Sequence, residues 1–198
     1  MMRRPAAFLD RDGVINVDRG YVSRAEDFTF VGGIFEGTAA LQQLGFALVV
    51  VTNQSGIGRG LYSENEFFAL NRWMIGQFEQ HSIRIDGVFF CPHHPTDARG
   101  QYRRECDCRK PAAGLLLRAA RKLGLDLTRS AMFGDRASDL QAAAAAYVPL
   151  RYLLGTDGLA RPAPAKPRGL SIAEFSSLHE AATSFEFKNA VAQFAGVP

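Results

Sequence analysis

Disulfide-forming capacity is what this sequence most plainly lacks. It has three cysteines in 198 residues, an odd number, and all of them, Cys91, Cys106 and Cys108, crowd into one short stretch. That pattern excludes the disulfide framework of a small secreted domain and suits a metal site in a reducing compartment. No run of apolar residues approaches the roughly 20 that a membrane-spanning helix requires. The opening residues, MMRRPAAFLD, return to a charged side chain after a handful of apolar ones, so they lack the apolar stretch of a secretory signal. A dominant charge is missing too. With 23 basic against 20 acidic side chains the formal charge is +3, too little for a chain that lives on nucleic acid and sufficient only for a locally positive pocket. The expectation is a soluble cytoplasmic protein without membrane or nucleic-acid partners. With no lid-sized insertion in view, it is expected to be a monomer.

What is present is enough apolar material, 47% of residues, to bury one sizeable core, so a single domain over residues 1–198 is expected. Apolar runs of strand length recur at Ala6–Leu9, Phe46–Val51, Val88–Phe90, Ala131–Phe133 and Val148–Leu154, with helix-like segments between most of them. The alternation predicts an α/β fold: a doubly wound parallel sheet with crossover helices. Ser63 and Glu66 form a capping-box pattern before Phe67, Leu70 and Met74. Pro111 suits the first turn of a helix carrying Leu115, Leu116 and Ala119, which Gly124 would end. The alanine-rich run 141–146 reads as a plain packed helix. The string RPAPAKPR at 161–168 reads as a surface connection, and a last strand and helix fall around 170–183. Residues 185–198 carry no pattern and are expected to be a peripheral tail.

Polar residues follow these strands at telling places. Asp10 follows the first, Thr52 and Asn53 the second, and Asp135 the fourth. In a doubly wound sheet all would project from one carboxyl edge, where ligands bind. Asp10-Arg-Asp12-Gly13 alone describes an ordinary turn. Paired with Asp135 it becomes a plausible Mg²⁺ site, because that ion takes oxygen ligands from a few carboxylates while keeping water and phosphate. Thr52 could donate a hydrogen bond to a phosphoryl oxygen, and Lys110 could supply a compact positive charge.

Cys91-Pro-His93-His94 and Cys106-Asp-Cys108 bring three thiols and an imidazole into one span, 91–108, that could close a tetrahedral zinc site. Two alternatives compete: incidental loop cysteines, and a zinc ribbon contacting nucleic acid through Arg99, Arg103, Arg104, Arg109 and Lys110. A closed site has no open position, so its metal would be structural and would order the loop that ends at Lys110.

The segments DRDG at 10–13, Thr52-Asn53-Gln54-Ser55-Gly56, Arg109-Lys110-Pro111 and Gly134-Asp135 with Asp139 resemble the four motifs of the haloacid dehalogenase superfamily, in its phosphatase branch. The resemblance spans roughly residues 5–155 in the family's motif order. It implies a Rossmann-like fold with Asp10 as nucleophile and Asp12 as general acid and then base. It also implies Mg²⁺ held by the Asp10 carboxylate, the Asp12 backbone carbonyl and Asp135, with Thr52 and Lys110 on the phosphoryl group. FLDRDGVINVDRGYV, LVVVTNQSGIGRG and CPHH…CDCRKP are further similar to the heptose-bisphosphate phosphatases, whose relatives, the histidinol-phosphate phosphatases, carry a similar but shorter zinc loop. Both groups imply Cys91, His93, Cys106 and Cys108 as Zn²⁺ ligands, with His94 a neighbour. The implied substrate is a small phosphorylated sugar, cleaved at its 7-phosphate. Asp18, Arg19, Gly20, Tyr21, Asn53, Gln54, Ser55 and Gly56 would line its cleft, and Arg109, with Arg59, would clamp the second phosphate. Arg136, also expected to face substrate, stands where those enzymes usually carry lysine.

Overall fold

The computed structural model describes residues 3–155 and 173–195. Strand side chains alternate between the two faces of a sheet, yet Ala6 through Leu9 and Ala47 through Val51 are all buried. Such runs belong to central strands covered on both sides. The order along the chain is β1 (Arg4–Leu9), α1 (Ile34–Gln43), β2 (Ala47–Asn53), α2 (Ser55–Arg59), α3 (Glu64–Gln80), β3 (Ile85–Cys91), α4 (Gly114–Leu123), β4 (Leu125–Gly134), α5 (Ala137–Ala145), β5 (Leu150–Leu154), β6 (Ala173–Phe175), α6 (Leu178–Thr183) and α7 (Phe185–Ala195). Every strand pair is parallel, in the order β3-β2-β1-β4-β5-β6. This is the Rossmann-like, doubly wound sheet that the alternation of elements predicts.

Two cores cover the sheet. On one face Ala7, Leu9, Leu48, Val50 and Phe133 meet Leu41 of α1, Leu70, Met74 and Phe78 of α3, Leu178 of α6 and Phe187 of α7. On the other, Phe8, Val49, Val51 and Met132 meet Leu115, Leu116 and Ala119 of α4 and Ala142 and Ala143 of α5. The expected capping box is present: Ser63 Oγ accepts from the Glu66 N–H at 3.2 Å, and Glu66 Oε2 accepts from the Ser63 N–H at 2.7 Å. Gly124 ends α4 in the left-handed region, as expected. No helix among the described residues is long and apolar enough to cross a membrane.

Two expectations need correction. Pro111 is not in the first turn of α4, which starts at Gly114; residues 109–113 form a turn in which Ala112 N donates to Arg109 O at 2.8 Å. Residues 185–195 are not merely peripheral. They form α7, whose Phe187 is fully buried beside Phe46, Phe133 and Tyr152. Phe187, Val191 and Phe194 fall at i, i+4 and i+7, the spacing of one helix face, and Phe187 and Val191 pack on the core. The proline-rich string 161–168 lies outside the described residues.

Phe187→Ala is expected to lower unfolding free energy by about 3–5 kcal/mol, as for other buried phenylalanines. Urea denaturation measures it, and a change near zero would mean that α7 does not hold the core.

Candidate active site

The strand order reverses between β1 and β4, so the crevice of this sheet opens where their carboxyl ends diverge. Asp10 is the first residue past β1, anchored by its N–H to Phe133 O at 3.1 Å, and Asp135 is the first past β4. Gly13 takes φ +93°, and a Cβ there would fall on the Asp135 carboxylate. The Asp-x-Asp-Gly turn thus lets the two strand ends approach. Thr52 and Asn53 close β2. The Asn53 amide fixes the backbone of Lys110, donating to its carbonyl at 3.1 Å and accepting its N–H at 3.0 Å. The Lys110 ammonium is buried 3.0 Å from Asp10 Oδ2, 2.7 Å from Asp139 Oδ1 and 2.8 Å from Val51 O.

Asp10, Asp135 and Asp139 hold carboxylate oxygens within 4.8 Å of one another. Burial pushes Asp10 up to about 8; Lys110 pulls the other way, and the neighbouring carboxylates add to the rise. Burial and Asp139 push Asp135 up to about 6 against Arg136 and Lys110. Burial works against the Lys110 charge, yet Asp10 and Asp139 outweigh it and raise its pKa. Three buried carboxylates facing one ammonium make a site that a hard divalent cation fits. Asp139 uses its oxygens on Lys110 and on the Arg136 N–H at 3.0 Å, so it serves to position those residues. The Asp12 side chain turns aside, accepting from Arg11, Asn16 and Gln54.

The sulfurs of Cys91, Cys106 and Cys108 lie 3.1–3.6 Å apart, and His93 Nδ1 is 3.6 Å from Cys91 Sγ and 3.3 Å from Cys108 Sγ. Zn–S bonds of about 2.3 Å in a tetrahedron separate sulfurs by roughly 3.8 Å, so these four residues fit a zinc ion. His94 is excluded from the cluster by its own bonds: its Nδ1 accepts from the N–H groups of Thr96 and Asp97.

Above Asp10 opens a cavity of about 610 Å³. Of the residues expected at the cleft, Asp18, Gly20, Tyr21, Asn53, Gln54, Ser55, Arg59, Arg109 and Arg136 line it, with Asp12, Thr52 and Lys110. Arg19 and Gly56 do not: Arg19 is exposed, and Gly56 is buried against the Tyr62 ring. Pro111 of the Arg109-Lys110-Pro111 segment also lines it, as do Tyr62 and Ser138, which nothing in their sequence spacing singled out. Arg59 joins two walls, pairing with Asp97 at 2.7 Å and lying over the Tyr21 ring at 5.7 Å. Arg136 pairs with Asp18 at 2.8 Å.

The D-glycero-beta-D-manno-heptose-1,7-bisphosphate 7-phosphatase of Vibrio cholerae is 52% identical to this chain over 155 residues, covering 78% of this chain and 83% of its own. The chain belongs to the haloacid dehalogenase (HAD) family. The HAD-hydrolase-like family description matches residues 107–167. The enzyme of the same name from Escherichia coli K12 is 47% identical over 152 residues, 77% of this chain and 80% of its own. The D,D-heptose 1,7-bisphosphate phosphatase of B. bronchiseptica, solved with magnesium and phosphate, superposes with a TM-score of 0.73 at 30% identity, covering 90% of this chain and 96% of that one. This HAD protein is accordingly a phosphoric monoester hydrolase.

A divalent cation held by the ionised carboxylates would displace protons from Asp10 below about pH 8 and from Asp135 below about pH 6. Mg²⁺ affinity is expected to rise with pH up to about 8 and then level off. At neutral pH, calorimetry in buffers of different ionisation enthalpy should register about one proton released per ion. The metal-free protein should show the opposite trend in stability. The raised Asp10 pKa stabilises the fold fully below its ordinary value of 3.8, and that contribution is lost as pH climbs to about 8.

Proposed function

We propose that this HAD phosphatase removes the 7-phosphate of D-glycero-β-D-manno-heptose 1,7-bisphosphate through an aspartyl-phosphate on Asp10. The carrying observation is the Asp10 carboxylate on the floor of the cavity, beside the Lys110 ammonium at 3.0 Å. Asp10 attacks phosphorus in line while the bond to the sugar oxygen breaks, and Asp12 delivers a proton to that oxygen. Asp12, now a carboxylate, takes a proton from the water that attacks the aspartyl-phosphate, and inorganic phosphate leaves. Lys110 and the Thr52 hydroxyl hold the phosphoryl oxygens throughout.

Mg²⁺, bound by the carboxylates of Asp10 and Asp135 and the carbonyl of Asp12, supplies charge neutralisation for the transferring group. The names of the relatives support the substrate, and the magnesium and phosphate in the B. bronchiseptica enzyme support the ion. Arg109 and Arg59, which both line the cavity, suit the second phosphate, and Asp18, Gly20, Tyr21, Asn53, Ser55 and Arg136 complete the cleft. Zn²⁺ on Cys91, His93, Cys106 and Cys108 is structural: it orders the loop that delivers Arg109 and Lys110. The same reading makes the protein a cytoplasmic monomer acting on a small phosphorylated sugar.

Asp10→Asn is expected to abolish phosphate release while leaving circular dichroism and melting temperature near wild type; full activity in that variant would sink the mechanism. Among substrates, kcat/KM for the heptose bisphosphate is expected to exceed that for histidinol phosphate by at least about a hundredfold. The reverse order would move the protein to the other branch. Metal analysis should return about one zinc per chain. A fully active, zinc-free protein with an ordered loop would refute the structural role.

A further inference from the structure

Gln54 follows β2, and only 2% of it is exposed. The two ends of its amide have different partners. Nε2 lies 2.8 Å from Asp12 Oδ2 and 2.8 Å from Thr52 Oγ1, while Oε1 accepts the Tyr62 hydroxyl at 2.5 Å. The partners of the two ends set its polarity: the Tyr62 hydroxyl faces Oε1, and the NH₂ faces Asp12 and Thr52. One amide hydrogen then serves Asp12 and the other Thr52. Thr52 Oγ1, engaged as an acceptor, is left with its own hydrogen to donate into the cavity that it lines. With the amide reversed, the Thr52 hydroxyl would spend its hydrogen on Oε1, and Asp12 would face an oxygen.

Tyr62 decides between the two orientations by placing a donor against Oε1. Its ring is buried with Ile57 and Phe67, in the space left by the missing Cβ of Gly56. Burial also pushes its phenol up to about 12, so the hydrogen it donates stays in place. Gly56, which does not reach the cavity, thus acts on it through Tyr62.

We propose that Gln54 is a positioning residue and not a substrate ligand: its amide, locked in one polarity by Tyr62, aims the Thr52 hydroxyl at the phosphoryl group and holds the Asp12 carboxylate in register with it. This rests on the parts in phosphoryl transfer assigned above to Thr52 and Asp12. Loss of a substrate contact raises KM, whereas loss of a device that aims catalytic groups lowers kcat.

The test is steady-state phosphate release from the heptose bisphosphate by Gln54→Met, Tyr62→Phe, Thr52→Val and the Gln54→Met/Thr52→Val double variant, with melting temperatures for each and Asp10→Asn as control. Gln54→Met is expected to lower kcat roughly tenfold with KM within about twofold, and Tyr62→Phe to lower kcat roughly threefold. In the Thr52→Val background the Gln54→Met effect should shrink, because part of what it loses is already gone. A raised KM at unchanged kcat, or full additivity in the double variant, would overturn the proposal. Should Gln54→Met fail to fold, Tyr62→Phe, which keeps its ring packing, decides, and an unchanged kcat there overturns it. If Asp10→Asn stays active, the underlying mechanism fails. If that control is inactive and the Gln54 and Tyr62 variants are unimpaired, only the positioning role fails.

Discussion

The buried ammonium of Lys110, held between Asp10 and Asp139, is the interaction on which the site depends. Carboxylates from the ends of β1, β4 and the first turn of α5 are brought together out of water, where like charges repel strongly. One ammonium offsets only part of that charge. The remainder makes the pocket receptive to a divalent cation and, with it, to a phosphoryl group. A buried lysine without its carboxylates would be equally costly, so the groups maintain one another.

Lys110 arrives at the end of a connection of about 20 residues between β3 and α4, far longer than most connections in compact domains. Such a loop could not by itself place a single nitrogen accurately, given the conformational entropy of its backbone. Two tethers supply the precision. The Cys/His cluster draws Cys106 and Cys108 back to the end of β3, and the Asn53 amide grips the Lys110 backbone from the end of β2. A third contact, from Arg99 N to Gly58 O at 2.7 Å, fastens the middle of the loop to α2.

Much of this was legible in the sequence because buried parallel strands are continuous apolar runs and the chemistry sits at their ends. Ala6–Leu9 and Phe46–Val51 marked the two central strands, and Asp10 and Thr52 were found by position alone. β3 and β4 proved longer than their apolar cores, because their first residues, Ile85–Gly87 and Leu125–Ser130, include polar side chains. α1 begins after a left-handed Gly33 with no side-chain cap, so it gave no start signal. Tyr62 lies between α2 and α3, directly before the Ser63 cap, and its partnership with Gln54 exists only in three dimensions. Arg19 was carried into the cleft by its neighbours in sequence, but adjacent residues in a turn face different ways, and it faces solvent.

The cavity walls come from the segments after β1, β2, β3 and β4, whereas the reacting groups sit directly on strand ends or are clamped to them. Arg59 ties those walls together, from Tyr21 on one side to Asp97 on the other. In evolutionary terms, the scaffold can exchange its choice of ester without rebuilding its chemistry. The walls, however, cannot drift independently, because a change in the loop bearing Tyr21 alters the seat of an arginine that the zinc-loop region also holds. Diversification of such a cleft would leave its mark as correlated substitutions at 21, 59 and 97, while the acidic floor stayed fixed.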